Sequence, residues 1–480
     1  CWHGVCLYGN FDMGLSYVQH GNPFNAMAGG PQQYLVEKAS FGSQFGVGAN
    51  QMSTSFIGLR GKQEIADNLY AVFNLQTLFN PASGMNANGI GAIVQNNGFG
   101  QAPQLGGGFA NSYGDSSKGG QMFNNAAYFG ISSPTYGTFT MGRQSALTSD
   151  LVVNYDALSG SNAWSLITFE GATGGGGDTE DRILDNSYEY RLNVGPVRFA
   201  AEVQLRNGGN SGTGNNFQGD VGFDYMGLSM DFQGAKIYDA VAVSTTLSSA
   251  QVNALTGTQL GTVVNPFGGA IPCSLGCMSG TISDNTVFQV AARYTIGPWK
   301  LFGGYEYVQY SNPNSPLAPG AFVYGGYNLA YANNNNYIDN KNLNIFWVGV
   351  KYAVTPTFDL MASYYGQRYG FFTSGTAPSA TGFANVPGGP TTGTAAQQAA
   401  CAGNSAAAAN CAGGQDMISF ALDWRFARHV DLYAGVAWNQ KFGGAASGFM
   451  LSTNNGTLSG TAVNTRVQNY DPGVGLRYQF

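Results

Sequence analysis

The sequence predicts an all-β fold, a transmembrane antiparallel β-barrel of 16 strands. Three observations carry that expectation. Apolar and polar residues alternate with a period of two along the chain, which puts them on opposite faces of extended strands and not around a helix. Sixteen such segments are present, an even number, as suits a closed antiparallel barrel. Tight and long connections alternate without exception, so one rim carries short turns, expected to be periplasmic, and the other long loops, expected to be extracellular.

The first segment, near 6–17, sets Leu7, Phe11, Met13, Leu15 and Tyr17 against Tyr8, Asn10, Asp12 and Ser16. Segments near 52–64 and 68–78 flank the turn ADN, and segments near 124–132 and 137–143 follow. The pair 183–194 and 197–206 flanks VGP; its second member sets Phe199, Val203 and Leu205 against Arg198, Glu202, Gln204 and Arg206. Next come 217–225 and 228–244, then 285–296 and 299–310 around IGP, then 342–353 and 356–369 around VTP. Gly and Pro supply the chemistry of these turns. The segments 416–426 and 429–440 lead to 467–480, which ends on DPGVGLRYQF with Val474, Leu476, Tyr478 and Phe480 on one face. In hydrocarbon every backbone N–H and C=O must be paired within the protein, so the last strand is expected to pair with the first. Phe480 then sits at the membrane interface.

Composition agrees. Only 10% of residues are charged, while Gly reaches 71, Tyr 27 and Phe 31, an odd balance for a water-soluble enzyme. There is no run of 18 apolar residues to make a transmembrane helix. The chain opens on Cys1 with neither Met nor a leader, which reads as a processed, exported protein. Its six cysteines form three close pairs, Cys1 with Cys6, Cys273 with Cys277 and Cys401 with Cys411, which suits small-loop disulfides. Zinc is the rival reading, but no histidine lies near Cys273 or Cys401; for Cys1 the rival is a lipid-bearing N-terminus. The net charge of -6 gives no support to nucleic-acid binding.

Several stretches resemble Gram-negative general porins, the trimeric sixteen-stranded diffusion channels: LYGNFDMG near the start, SFIGLRGKQEIADNLYAVFNLQT at 55–77, AAYFGISSPTYGTFTMGRQ at 126–144, RILDNSYEY at 182–190 and the terminal GLRYQF. The resemblance runs from end to end in strand order, so residues 1–480 read as one barrel. It implies an outer-membrane location, a homotrimer latched by the loop near 79–123, and a C-terminal strand read by the barrel-assembly machinery. It also implies that the third long loop, 144–182, folds inward and narrows the pore. That loop carries Leu151, Val152, Val153, Leu158, Trp164 and Leu166 for packing, and Asp150, Asp156 and Glu170 for negative charge. The positions that match the family's opposing arginines are Arg60, Arg143 and Arg182. Arg60 and Lys62 share a face opposite Ile57 and Leu59, as lumen residues should, whereas Arg143 is in phase with Phe139 and Met141. Acids on one side of an aqueous slot and guanidiniums on the other would set up a transverse field that orients polar solutes.

GGGGDTED at 174–181 gathers Asp178, Glu180 and Asp181, oxygen-rich enough for calcium but without the spacing of a dedicated calcium loop; a flexible acidic loop is the alternative. No other cofactor is expected. His3, His20 and His429 are far apart, and no nucleophile motif or phosphate loop is present, so no enzyme is expected. The expected function is passive diffusion of ions and small hydrophilic solutes across the outer membrane. A substrate-selective channel and a surface adhesion or structural barrel are the alternatives, and single-channel current separates the three.

Overall fold

Strands pair in sequence order and the last closes on the first. The computed structural model describes residues 1–20, 39–40, 43–84, 86, 122–169, 182–205, 215–245, 263–265, 269–271, 278–311, 323–324, 327–328, 341–370, 413–443, 446, 450–451 and 466–480. Within these, the barrel runs β1 Val5–Val18, β2 in two segments Gln44–Ala49 and Phe56–Ala66, β3 Leu69–Leu78, β4 Ala126–Ser133 and β5 Gly137–Ser145. It continues with β6 Ile183–Val194, β7 Val197–Gln204, β8 Asn216–Tyr225, β9 Leu228–Thr245, β10 Met278–Ile296 and β11 Trp299–Ser311. The last five are β12 Lys341–Thr355, β13 Phe358–Tyr369, β14 Gly413–Ala427, β15 Val430–Gly443 and β16 Arg466–Gln479. The sheet has 17 strand segments; two of them make β2, so sixteen strands close the barrel.

Closure is antiparallel between β1 and β16, in the register Phe11↔Tyr478, Met13↔Leu476 and Leu15↔Val474. Phe480 completes it by exchanging two backbone hydrogen bonds with Gly9, at 3.0 and 3.1 Å. The terminal strand therefore does what its alternation predicts. No sheet edge is left between first and last strand, as a membrane demands.

The barrel is inside-out relative to a soluble protein. On β1, Leu7, Met13 and Leu15 are exposed on the outside, while Asn10, Asp12 and Ser16 are buried on the inner face. Toward the turn rim the outer surface carries paired aromatics, Trp299 with Tyr352 at 4.2 Å and Tyr478 with Phe480 at 5.9 Å between ring centroids, the girdle of a membrane interface. The tight turns fall where Gly and Pro predict them. Asn68, Gly195, Gly297 and His429 take the left-handed backbone conformation there.

Two features depart from the sequence reading. The second strand does not run through 52–64: it begins at Gln44, leaves the sheet after Ala49 and rejoins it at Phe56. The loop at 144–182 contains regular structure, a helix α1 over Leu147–Asn154 and a 3₁₀ turn over Leu166–Phe169. Cys1 and Cys6 are bridged, and the bridge flanks a hairpin in which Trp2 and Val5 exchange backbone hydrogen bonds at 2.7 and 2.9 Å. Cys273, Cys277, Cys401 and Cys411 lie outside the described residues, as do Glu170, Asp178, Glu180 and Asp181 and most of the loop at 79–123.

Candidate functional site

The loop after β5 turns into the barrel at a bulge. The β5–β6 register slips between Gly142 and Gln144, where Asn186 of β6 takes a left-handed conformation. Arg143 sits at the slip and stays near the rim. Its Nε and Nη2 donate to the Asn124 carbonyl at 3.1 and 2.7 Å, and its Nη1 pairs with Asp185. This explains why its phase matches Phe139 and Met141 and yet the guanidinium does not meet lipid.

Helix α1 starts at Ala146, which has no side chain able to cap it, so its first N–H groups need acceptors from elsewhere. The barrel wall supplies them. Leu147 N–H donates to Glu202 Oε2 of β7 at 3.2 Å, and Thr148 N–H donates to Gln218 Oε1 of β8 at 3.0 Å. A carboxylate at a helix N-terminus also suits the helix dipole.

From there the loop follows the inner wall. Tyr155 Oη bonds Ser229 and Asp231 of β9 at 2.9 and 2.7 Å, and its carbonyl accepts from Trp347 Nε1 of β12 at 2.9 Å. Asp156 is buried, accepting from Tyr365 Oη of β13 at 2.6 Å and from Gly160 N–H at 2.8 Å; burial pushes its carboxyl above the ordinary carboxylate range. Trp164 is wholly buried, edge-on to Tyr433 of β15 at 5.9 Å, and donates through Nε1 to the Asp471 carbonyl of β16 at 3.2 Å. Gly435 and Gly473 make room for it: a Cβ on either would stand 2.7 and 3.1 Å from the indole.

Residues 50–55, the break in β2, form a second inward element. Ala163 N–H and Ser161 Oγ both donate to the Gln51 carbonyl at 2.9 Å, and Asn162 Nδ2 donates to the Asn50 carbonyl at 2.8 Å and to Thr54 Oγ1 at 3.1 Å. The tip of the inward loop rests on this break.

The charges divide unevenly. Asp150 pairs with Arg191 of β6 at 2.5 Å, and Arg191 also pairs with Glu189 at 2.7 Å. Arg198 of β7 pairs with Asp231 at 2.7 Å and with Asp224. Nearer the turn rim, Lys351, Asp359, Arg425, Asp423, Arg477 and Asp431 form a chain of ion pairs 2.7–3.6 Å long across β12–β16. Arg182 Nε donates to Ser149 Oγ of α1 at 3.2 Å. Arg60 and Lys62 differ: they lie over the rings of Tyr8 and Tyr70, at 4.7 and 4.2 Å, and form no ion pair among the described residues. Tyr8 is held in turn by donating to Asn74 Oδ1 at 2.6 Å.

The structure thus brings both Asp150, paired with Arg191, and Arg182, bonded to Ser149, to α1's first turn, sets Asp156 against the wall at Tyr365 and puts Arg60 and Lys62 on the inner face of β2. Sequence reasoning missed Arg191, although alternation against Tyr188 and Tyr190 puts it on the inner face. It also missed Glu202 and Gln218, whose capping role has no local signal.

A closed barrel with an apolar outside, a polar inside and a loop folded along its inner wall is a transmembrane channel of the outer-membrane type. The sequence profile of Gram-negative porins matches residues 3–441, and the chain belongs to that family, whose members are outer-membrane diffusion channels. Similar solved folds include an anion-selective porin from Comamonas acidovorans, 16% identical over 99% of each chain with a TM-score of 0.55. A loop L8 deletion mutant of OmpT, an outer-membrane protein of Vibrio cholerae, is 12% identical over 99% of each chain with a TM-score of 0.52. A trimer form of OmpT is 13% identical over 99% of each chain with a TM-score of 0.50. No curated protein matches the sequence.

Proposed function

We propose that this porin is a passive channel for ions and small hydrophilic solutes, not an enzyme, narrowed by the loop at 144–182 and preferring anions through two cations on the wall of its lumen. One observation carries the preference. Among the described residues, the acids of the loop are neutralised or buried, Asp150 by Arg191 and Asp156 in the wall, whereas Arg60 and Lys62 face the lumen without a carboxylate. Their stacking on Tyr8 and Tyr70 holds the two cations in place beside the path of a solute. In water an ion passing ~7 Å from a unit charge gains or loses about 0.6 kcal/mol, close to the thermal energy. Each cation then enriches anions, and depletes cations, by about two- to threefold at low salt, less as salt screens it.

The reversal potential under a salt gradient tests this in a planar bilayer. The native channel should read anion-selective, and Arg60→Ala and Lys62→Ala should each move the potential toward cations. A native channel that favours cations, or two variants indistinguishable from it, would refute the proposal. We further propose a homotrimer, as described for the trimer form of OmpT; unheated electrophoresis should show about three monomer masses.

A further inference from the structure

We infer that Asp12, a β1 residue outside the inward loop, is the positioning residue that sets how far the channel is narrowed. It does so by holding residues 50–55 inside the barrel as a ledge for the loop tip; the inference rests on reading that loop as the constriction.

The argument begins with a mismatch of length. On β1, Met13 pairs with Ala49 and Asn10 with Phe56, so Phe11 and Asp12 stand opposite all of residues 50–55. The surplus chain must leave the sheet. It goes inward because side chains on the inner face of β1 take hold of it. Asp12 Oδ2 accepts from Met52 N–H at 3.1 Å, from Ser53 N–H at 2.8 Å and from Ser53 Oγ at 3.3 Å, while Asn10 Nδ2 donates to Ser53 Oγ at 2.8 Å and to the Thr54 carbonyl at 3.2 Å. Two adjacent amides outside any ladder need a single group that accepts both, and an ionised carboxylate is the side chain built for that.

Asp12 also reaches the second support of the tip. Tyr433 Oη donates to Asp12 Oδ1, and Tyr433 is the ring against which Trp164 packs. The tip is thereby fixed twice through one carboxylate. Its backbone and Asn162 hang on the Asn50 and Gln51 carbonyls of the ledge, and Trp164 leans on the tyrosine. Without the carboxylate, the Met52 amide, which is buried, and the half-buried Ser53 amide both lose their acceptor. The ledge then has reason to move toward water, and the tip loses both supports.

Asp12→Ala in the full-length channel tests this, with Asp12→Asn as a milder substitution should the first impair assembly. Asp12→Asn keeps the shape but points an amide donor at two N–H groups. Both variants should form the heat-modifiable barrel, and single-channel conductance should rise roughly 1.5- to 2-fold with added open-state noise. Adding Thr54→Cys and Asn162→Cys to Asp12→Ala, then oxidising that pair, should restore native conductance, because the new tether replaces the ledge's grip. A purely structural role for Asp12 predicts no such rescue. Native conductance in both Asp12 variants, or a tether that forms without lowering the conductance, would overturn the inference. A native protein that does not conduct would sink the channel reading itself, which is a separate outcome.

Discussion

Two arcs of the inner wall obey the same alternation and have opposite fates. From β7 round to β16, inner-face groups such as Glu202, Gln218, Asp231, Trp347, Tyr365 and Tyr433 spend their hydrogen bonds and ring faces on the inward loop. On the turn-rim halves of β1, β2 and β3, Tyr8, Arg60, Lys62, Tyr70 and Asn74 support one another, and the two cations face the lumen. The first arc is a mount; in the proposed function the second is the filter. A polar residue at an inward position is therefore not a pore charge until its partners are known.

The largest effect should come from breaking the mount. Trp164→Ala removes a fully buried indole from its slot over Gly435 and Gly473, a change that typically costs about 3–5 kcal/mol. The cost falls on the docking of the loop and not on the barrel, whose strand pairing is untouched. Heat-modifiable mobility should stay native while single-channel conductance rises and fluctuates. If the conductance is native, the loop does not narrow the pore.

That contrast also marks how far the sequence could be read. Period-two alternation, turn chemistry and the DPGVGLRYQF end are local, and most strands keep their place within a few residues, although β2 begins as early as Gln44 and β10 at Met278. The closure of β16 on β1 follows from the membrane's demand for paired backbone. The break in β2 was invisible because SFIGLRG continues an ordinary strand pattern, while the residues that pull 50–55 inward, Asn10 and Asp12, lie some forty positions earlier. The cap of α1 hides for the same reason: Glu202 and Gln218 come more than fifty residues after it. Arg60 and Lys62 were legible because a strand face decides them. The role of Asp156 was not, because its charge looks available until Tyr365 is found beside it.

A smaller effect should sharpen the boundary between the arcs. Arg191 joins the root of the loop to β6 by holding Asp150 and Glu189 together. Arg191→Ala leaves two acids facing each other without their cation, so the reversal potential should move toward cations, by about the amount expected for one lost charge at low salt. Asp150→Ala should move it the other way. If both are silent, this cluster lies off the ion path and the filter is confined to β2.

The smallest expected effect is a pH dependence at Asp156. Burial disfavours its charged form, so its carboxyl titrates above the ordinary value of 3.8 when the loop is docked. For a group whose pKa is raised by docking, the stabilisation is complete below the undocked value and is lost as pH rises through the docked one. Open-state noise from the loop should therefore be lowest in acid, grow as pH rises above ~3.8 through the docked value, and level off beyond it. Tyr365 Oη and Gly160 N–H both donate to the carboxylate and limit the loss, which keeps the change small. Asp156→Asn cannot ionise, so its noise should be flat over the same window, with a modest constant offset because an amide offers one acceptor where the carboxylate offers two. A variant that keeps the native slope would place the titrating group elsewhere in the channel and leave Asp156 as a fixed part of the mount.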